Sequence, residues 1–287
     1  MRWGVSGFDV ARSVNDSKET MRNLKLTLAY DGTEFSGWQV QPDRQTIQGA
    51  LASAIGRLTG ENVLPQGSGR TDAGVHAFAQ VATFATESAI PVENFQRALN
   101  GMLPAAIRVM DVSEVPAGFH ARKSARAKTY RYRIYRGEVC PPFVARYVCH
   151  HPYPLDETEM ILASAVVVGE RDFTSFAAVD PEKRCGVEED DEEGVAGSGV
   201  MRTNAGSNVR RIFASHWERI GEEFMYTVRG NGFLHHMVRI LVGTFLLVGK
   251  GTLEVEDIGR ILQAKNRSVA GATVPASGLC LVSVEYE

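Results

Sequence analysis

The stretch that decides how this chain folds is Gly67–Phe84, GSGRTDAGVHAFAQVATF. A glycine-flanked turn in it contains Arg70 and Asp72, and the alternating segment Val81–Ala85 that follows is typical of a β-strand. Upstream, Val63–Gln66 indicates the end of a short strand. Asp72 is therefore predicted in a connection between two strands, where a rigid sheet commonly holds reactive loops.

The glycines of this turn do not predict a phosphate-binding loop. A dinucleotide-binding fingerprint requires glycine where Asp72 stands, and a carboxylate in that position would repel phosphate. The second glycine-rich stretch, Gly243–Gly251, has five residues between Gly243 and Gly249, which is not the spacing of a phosphate-binding P-loop. We therefore expect no nucleotide cofactor.

Asp72 has two interpretations when only its neighbours are considered. Aspartate often stabilises a glycine-rich turn by accepting hydrogen bonds from backbone N–H groups, and the turn sequence does not separate this role from that of a reactive carboxylate. Arg70 nearby and Arg239, at the end of Gly232–Arg239, GFLHHMVR, favour the reactive carboxylate.

Taken together, these segments resemble the tRNA pseudouridine synthase A family, which isomerises uridines 38 to 40 in the anticodon stem-loop of tRNA. The motifs that carry the resemblance, in chain order, are Tyr30-Asp31-Gly32-Thr33, Gly37-Trp38-Gln39, Gly69–His76, Leu103-Pro104, Phe119–Arg122, Tyr130–Tyr132, Asp172-Phe173 and Phe233–Arg239. Only Met1–Arg22 and about residues 183–207 fall outside the pattern.

The predicted elements define the fold class. Segregated strands and helices suggest an α+β fold. The resemblance further implies two RNA-recognition-motif-like (ferredoxin-like) halves in one mixed, mainly antiparallel sheet, with helices on one face and a catalytic cleft on the other. We expect a flexible N-terminal extension over 1–22, an N-terminal half over 23–140 and a C-terminal half over 141–287, with a flexible acidic insertion at about 183–207.

Periodicity and cap residues place the individual elements. Thr46 as N-cap and Gly60 as terminator predict a helix between them. The other predicted helices follow Pro91, begin at Asp156 with a capping box to Glu159, and cover 233–248 and 255–262. The predicted strands, besides those flanking Asp72, cover 24–30, 107–112, 128–136, 210–217, 224–229 and 279–285.

The resemblance assigns catalytic roles to four residues. Asp72 is expected to attack C1′ of the target uridine or to stabilise cationic character there, and Arg239 to pair with Asp72 and hold it charged. Tyr130 is expected to stack on the flipped uracil, and either to orient it or to take its C5 proton. Arg70 is expected to enter the space that the extruded base leaves.

Charge is distributed unevenly along the chain. The formal net charge of the chain is −3, and the six consecutive acids Glu188–Glu193 contribute −6 of it. The rest of the chain therefore has a net positive charge. We interpret the acidic stretch as a solvated loop, with screening of the cleft as the alternative.

A basic cluster predicts a polyanion-binding surface. Seven cations and no acid occur within fifteen residues: Arg122, Lys123, Arg126, Lys128, Arg131, Arg133 and Arg136. The first five, with Arg70 and Tyr130, are the candidate tRNA-binding residues. The alternative is an edge strand kept soluble by its charges, with the tyrosines in the core.

Metal sites and membrane spans are not expected. The four cysteines form no CxxC pair, and the rings of His150–His151 and of His235–His236 should point in different directions because they are neighbours in the chain. The apolar run Phe233–Val248 contains charged and histidine side chains, which favours a buried helix over a membrane span. Met1–Arg22 has no signal-peptide core, so we expect the cytoplasm, with an organelle as the alternative.

Three further expectations concern partners and packing. The resemblance suggests a homodimer that binds one tRNA across both subunits, with no cofactor. Trp38, Phe173 and Phe176 are expected in the core, and Gly74 is expected to provide the backbone geometry of the turn.

The alternative function is a catalytically silent tRNA-binding protein or RNA chaperone, which would not need Asp72 together with Arg70 and Arg239.

Overall fold

A computed structural model describes residues 21–178 and 207–286 of the chain. The predicted N-terminal extension, except for Met21 and Arg22, lies outside these described residues. The predicted acidic insertion, except for Ser207, lies outside them as well.

One sheet carries all the strands of the described ranges. These are β1 (Arg22–Tyr30), β2 (Gln66–Gly67), β3 (His76–Thr86), β4 (Ile107–Val115), β5 (Ala127–Tyr135), β6 (Cys149–His150), β7 (Gly169–Asp172), β8 (Val209–Ile220), β9 (Glu223–Gly230) and β10 (Leu279–Glu285). The order is β4-β1-β3-β10-β5-β9-β8-β7, with β2 on β3 and β6 on β5. Only β3 with β10 and β5 with β6 are parallel, which confirms the mixed, mainly antiparallel sheet of an α+β fold.

Helices connect these strands, and cap residues set several of their ends. The α-helices of the described ranges are α1 (Ile47–Thr59), α2 (Val92–Met102), α3 (Pro142–Ala145), α4 (Glu157–Val166), α5 (Met237–Gly249) and α6 (Asp257–Ala264). Thr46 caps α1 by accepting the N–H of Gly49, and Gly60 ends it in the left-handed region at φ +79°. Asp156 caps α4 by accepting the N–H of Glu159. Both of these predicted helix starts are confirmed.

Two units with the same strand order share the sheet. With the short strands β6 and β7 left out and the other strands of each unit numbered by sequence, both units follow the order four, one, three, two: β4-β1-β3-β2 in the first and β10-β5-β9-β8 in the second. This is the ferredoxin-like order that the resemblance implied. Strand β10 pairs with β3 on one side and β5 on the other, and so joins the units. Strand β5 lies within the predicted 23–140 half but pairs with strands of the other; the boundary at 140 stays a prediction.

The cleft and the helices lie on the same face of the sheet. Phe84 of β3 contacts Phe95 of α2, with ring centroids 5.9 Å apart, and Tyr226 of β9 contacts Phe245 of α5 at 5.3 Å. Tyr130 of β5 shares the face of Tyr226 by register and alternation. The expectation of a cleft on the face opposite the helices is therefore corrected: Tyr130, which is expected to line the cleft, faces the side of the sheet on which the helices pack.

Several element boundaries differ from the prediction. Helix α5 begins at Met237 rather than at Phe233, because His236 has a left-handed backbone. Strand β3 begins at His76, five residues before the predicted start, since its first residues pair with β1 and β10, which are remote in sequence. In the described ranges, no helix is long and apolar enough to cross a bilayer.

Candidate active site

The loop that carries Asp72, residues 68–75, is fixed to the sheet by its own carbonyl groups. Nζ of Lys128 donates to the carbonyl of Ser68. Nε2 of the fully buried Gln80 donates to the carbonyl of Gly69 at 2.9 Å. Because the donors belong to β5 and β3, the two strands on either side of β10 set the position of the loop.

A second set of contacts holds the loop from the side of the first unit. The N–H of Trp38 donates to the carbonyl of Thr71 at 3.0 Å, and the hydroxyls of Thr71 and Tyr30 are 2.8 Å apart. Gly37 has φ +91°, and a Cβ there would stand 2.7 Å from the Thr71 carbonyl oxygen. Gly74 has φ +79°, which confirms its predicted backbone role. Because glycine has no side chain, it allows the close approach between backbone segments that places Asp72.

Asp72 forms an ion pair with Arg239. Nη1 of Arg239 donates to Oδ2 of Asp72 at 2.9 Å, while its Nε donates to the carbonyl of Val274 at 2.8 Å. The side chains of Asp72 and Arg239 are 20% and 14% exposed, so the pair is sheltered but open to a ligand. The predicted contact is present. It joins a loop of the first unit to the first turn of α5 in the second unit.

Two adjacent histidines face the same carboxylate. Nε2 of His236 lies 3.5 Å from Oδ2 of Asp72, and Nε2 of His235 lies 3.8 Å from Oδ1. The two ring centroids are 3.9 Å apart. The expectation that these neighbours point in different directions is wrong, because the left-handed backbone of His236, at φ 58°, turns both rings to one side. Sequence reasoning missed both residues; the motif GFLHHMVR contained the signal.

The donor set around Asp72 does not suit a metal ion. Within the described residues, Asp72, His235 and His236 are the group whose potential ligand atoms come within 4.8 Å of one another. Arg239 already binds Oδ2, and a bound cation would be repelled by its guanidinium.

Burial lowers the pKa of His236 below its ordinary value, Asp72 opposes that shift, and the positive charges of Arg239 and Arg267 add to it. This shift favours the neutral imidazole over the imidazolium.

Tyr130 forms the wall beside the ion pair. Its ring packs edge-to-face on Phe233, with centroids 5.1 Å apart, and only 8% of the residue is exposed. Burial, then the nearby Tyr30 and Asp72, raise the pKa of the Tyr130 phenol far above its usual value. The phenol therefore stays protonated, which suits stacking and hydrogen-bond donation but not proton acceptance.

The predicted basic cluster divides into separate parts. Lys128 shares the face of Tyr130, but its ammonium is turned inward to Ser68. Burial and the positive charges of Arg122 and Arg210 lower the pKa of Lys128 to about 8. Arg210, at the start of β8, was not among the predicted binding residues. These three cations lie together at the end of the cleft where the Asp72 loop begins.

The other predicted binding residues are placed differently. Arg70, Arg122, Lys123 and Arg126 are exposed, whereas Arg131 alternates to the face of the sheet away from Asp72. There Arg131 lines a groove and its Nε lies 3.5 Å from a threonine hydroxyl. The structure therefore does not bring Arg131 into the cleft.

Several motif residues prove to be structural. Trp38, Phe173 and Phe176 are buried, as expected. His76 accepts the N–H of Gly32 at Nδ1, 3.1 Å away, which ties the first motif to the turn. These residues support the site without facing it.

Two ferredoxin-like units joined at a carboxylate–arginine pair, with a buried tyrosine beside it, fit the class of pseudouridine synthases. Sequence comparison makes the assignment specific. The family model described as tRNA pseudouridine synthase matches residues 27–122 and 163–287, and the chain belongs to this family.

Named relatives agree over nearly the whole chain. The tRNA pseudouridine synthase A of Solibacter usitatus is 50% identical over 266 residues, which is 93% of this chain and 100% of that protein. Those of Brevibacillus brevis (43%; 93% and 100%) and Moorella thermoacetica (44%; 92% and 99%) follow. A solved Cbf5-Nop10-Gar1 complex aligns with a TM-score of 0.32 at 12% identity, over 90% of this chain and 57% of that one, a likeness too low to bear on the fold.

Proposed function

We propose that this protein is a tRNA pseudouridine synthase that isomerises uridine to pseudouridine at positions 38, 39 and 40 of the anticodon stem-loop. The observation that carries the proposal is the ion pair between Asp72 and Arg239, 2.9 Å long, within a chain of this family. The reaction consumes no second substrate, so a fixed carboxylate and a shaped pocket suffice, with no cofactor or metal.

Asp72 acts on the glycosidic bond. The C1′–N1 bond of uridine breaks, the freed uracil turns, and C5 bonds to C1′. An ionised carboxylate serves this sequence either as the nucleophile at C1′ or as the charge that stabilises its cationic character. Arg239 orients Asp72, because a charge-assisted hydrogen bond fixes one of its carboxylate oxygens.

Tyr130 orients the uracil. Its protonated phenol and its packing on Phe233 supply a flat, fixed surface against which the flipped base stacks. The elevated pKa argues against the phenol as the acceptor of the C5 proton. Of the two roles that the sequence left open for Tyr130, the structure supports orientation.

RNA reaches the site by base extrusion. A stacked uridine must leave the stem, which costs on the order of a few kcal/mol. Arg70, exposed on the Asp72 loop, is proposed to occupy the vacated space, and Arg122, Lys123 and Arg126 to contact phosphates. Lys128 adds its positive charge to this surface, and its ammonium donates a hydrogen bond to the Ser68 carbonyl of the Asp72 loop.

A homodimer is part of the proposal. A groove of about 690 Å³ lies on the face of the sheet away from Asp72, and its lining includes the exposed apolar side chains of Phe78, Met110 and Ile220. An apolar patch of this kind fits a protein interface. Light scattering after gel filtration should report twice the chain mass for wild type and a monomer for Phe78→Glu with Met110→Glu; a monomeric wild type refutes the dimer.

For the location we propose the cytoplasm, with an organelle as the alternative. The relatives are bacterial proteins named for action on tRNA. Fractionation of cells that express the tagged full chain tests the proposal, since recovery with an organelle would contradict it.

The decisive experiment is a modification assay. Purified protein is incubated with an unmodified tRNA transcript that carries uridines at 38, 39 and 40, without metal or cofactor, and pseudouridine is mapped at single-nucleotide resolution. We expect pseudouridine at these positions with wild type and none with Asp72→Asn, whose tRNA affinity should change less than twofold. Tight binding by wild type without pseudouridine would refute the enzyme and leave the silent tRNA-binding protein.

A further inference from the structure

The reaction needs a proton acceptor that the residues discussed so far do not supply; this inference rests on the proposed function. When C5 bonds to C1′, it still carries its hydrogen, and this proton must leave before uracil regains its double bond. Burial, then the nearby Tyr30 and Asp72, raise the pKa of the Tyr130 phenol, which keeps it protonated and makes it a poor acceptor for this proton. A second group beside Asp72 is therefore the better candidate.

The ring of His236 is placed for this step. Its Nε2 lies 3.5 Å from Oδ2 of Asp72, which is too long for a hydrogen bond, so the carboxylate does not engage this nitrogen. Asp72 must approach C1′ to about 3 to 3.5 Å for reaction. Since C5 is bonded to C1′ in the rejoined nucleoside, a group beside the reacting carboxylate, as Nε2 of His236 is, is the candidate acceptor for its hydrogen.

The backbone of His236 has a shape that folding does not explain. Its φ of 58° lies in the left-handed region, which is uncommon for a residue with a side chain, and its side chain makes no capping hydrogen bond to α5. Such conformations persist mainly where a site requires them. Here the consequence of the left-handed turn is that the ring faces Asp72.

The charges around the ring suit a proton acceptor. The titratable and charged groups that face His236 are Asp72 from the loop, His235 beside it, Arg239 from α5 and Arg267 from the segment after α6. The imidazolium that forms is stabilised by Asp72, and 27% of the His236 side chain is exposed, so water can remove the proton.

We propose that His236 is the catalytic base that removes the C5 proton of the rejoined nucleoside. The C5–H bond breaks, its electron pair becomes the C5–C6 double bond, and the proton moves to Nε2 of the tautomer that carries its hydrogen on Nδ1. The electron pair of the C6–N1 double bond moves to N1, which takes a proton from water. The imidazolium then releases the proton to solvent, and no other reagent is needed.

The test uses His236→Gly in the full chain, because glycine accepts the left-handed backbone and leaves a ring-sized space. We expect kcat to fall by about 10²- to 10⁴-fold with tRNA affinity within twofold of wild type. With transcripts that carry 5-deuterated uridine, the variant should show a deuterium effect on kcat larger than that of wild type. Added imidazole should restore turnover, most strongly above its own pKa.

Two control variants test whether the effects are specific to His236. Lys265 also has a left-handed backbone, at φ 47°, but its side chain pairs with Asp172 and not with Asp72. Lys265→Gly should therefore leave kcat unchanged. His235→Gly should retain a deuterium effect like that of wild type. The proposal is overturned if His236→Gly turns over at the wild-type rate, if it is inactive with neither imidazole rescue nor an enlarged deuterium effect, or if these signatures belong to His235→Gly. A wild type that makes no pseudouridine refutes the proposed function itself.

Discussion

At the residue scale, Arg239 acts through two donors that diverge from one guanidinium. Nε is fixed on the carbonyl of Val274 while Nη1 binds Asp72, so the backbone contact aims the charge. Lysine places one ammonium on a flexible stem and cannot satisfy both acceptors in this geometry.

Arg239→Lys should therefore lower kcat by on the order of 10²-fold, because a small displacement of a positioned group costs this much, with little change in tRNA affinity. Single-turnover kinetics with saturating enzyme measure the effect. Arg260→Lys, on the exposed surface of α6, is the matched control and should behave as wild type. A wild-type rate in Arg239→Lys would show that the direction of the guanidinium is unimportant.

Lys128 gives a pH prediction at the same scale. Its pKa is about 8 in the folded protein and near 10.5 in an exposed lysine, so between these values the unfolded chain binds more protons and folding gains stability as pH rises. Relative to Lys128→Met, wild type should gain on the order of 3 kcal/mol of unfolding free energy across this window. Urea unfolding at several pH values measures the difference; a difference that does not change with pH would contradict the buried ammonium.

At the element scale, helix α5 both fills the core of the second unit and positions Arg239. It lies so close to the segment before β10 that a Cβ on Gly243 would stand 1.9 Å from the carbonyl oxygen of Ala272. The helix cannot accept that atom without moving, and Arg239 lies one turn earlier on it.

Gly243→Ala should thus lower the unfolding free energy by roughly 1 to 3 kcal/mol, as overpacking does, and reduce kcat as well. The matched control is Gly259→Ala in α6, where a Cβ meets nothing within 4 Å. Removing a helical glycine there should stabilise the protein by about 0.5 to 1 kcal/mol and leave activity intact. Denaturant titration and the pseudouridine assay together test both variants.

At the scale of the whole molecule, one continuous sheet makes the two units interdependent. Strand β10 pairs with both, and Leu281 on it is almost fully buried between β3 and β5. Trp38 reports on the first unit and Trp217 on the second. With Trp3 replaced by Phe, the fluorescence of variants that keep only one of these two tryptophans should give the same urea midpoint, whereas separate midpoints would show units that fold alone.

The charged surface also belongs to this scale. Lys123 and Arg126 are exposed and apart from the ion pair, so they contribute through phosphate neutralisation. Lys123→Glu with Arg126→Glu should weaken tRNA binding and lower the slope of log affinity against log salt by about 2, while kcat at saturating tRNA stays unchanged. An unaltered slope would place the RNA elsewhere.

The sequence by itself determined the local elements and indicated the candidate reactive residues. Thr46, Gly60 and Asp156 act within one helical turn, so their caps could be predicted from neighbouring residues. Asp72 and Arg239 were predicted as partners through the resemblance, since their separation along the chain gives periodicity no information about contact.

Only the tertiary structure decided which groups face Asp72 and on which side of the sheet the cleft lies. The rings of His235 and His236 converge because one backbone dihedral lies in the left-handed region, and Arg131 leaves the site because strands alternate their side chains. The inward turn of Lys128 likewise depends on the Ser68 carbonyl, which is supplied by the Asp72 loop. These outcomes depend on contacts between residues far apart in the chain, and a local sequence pattern does not encode them.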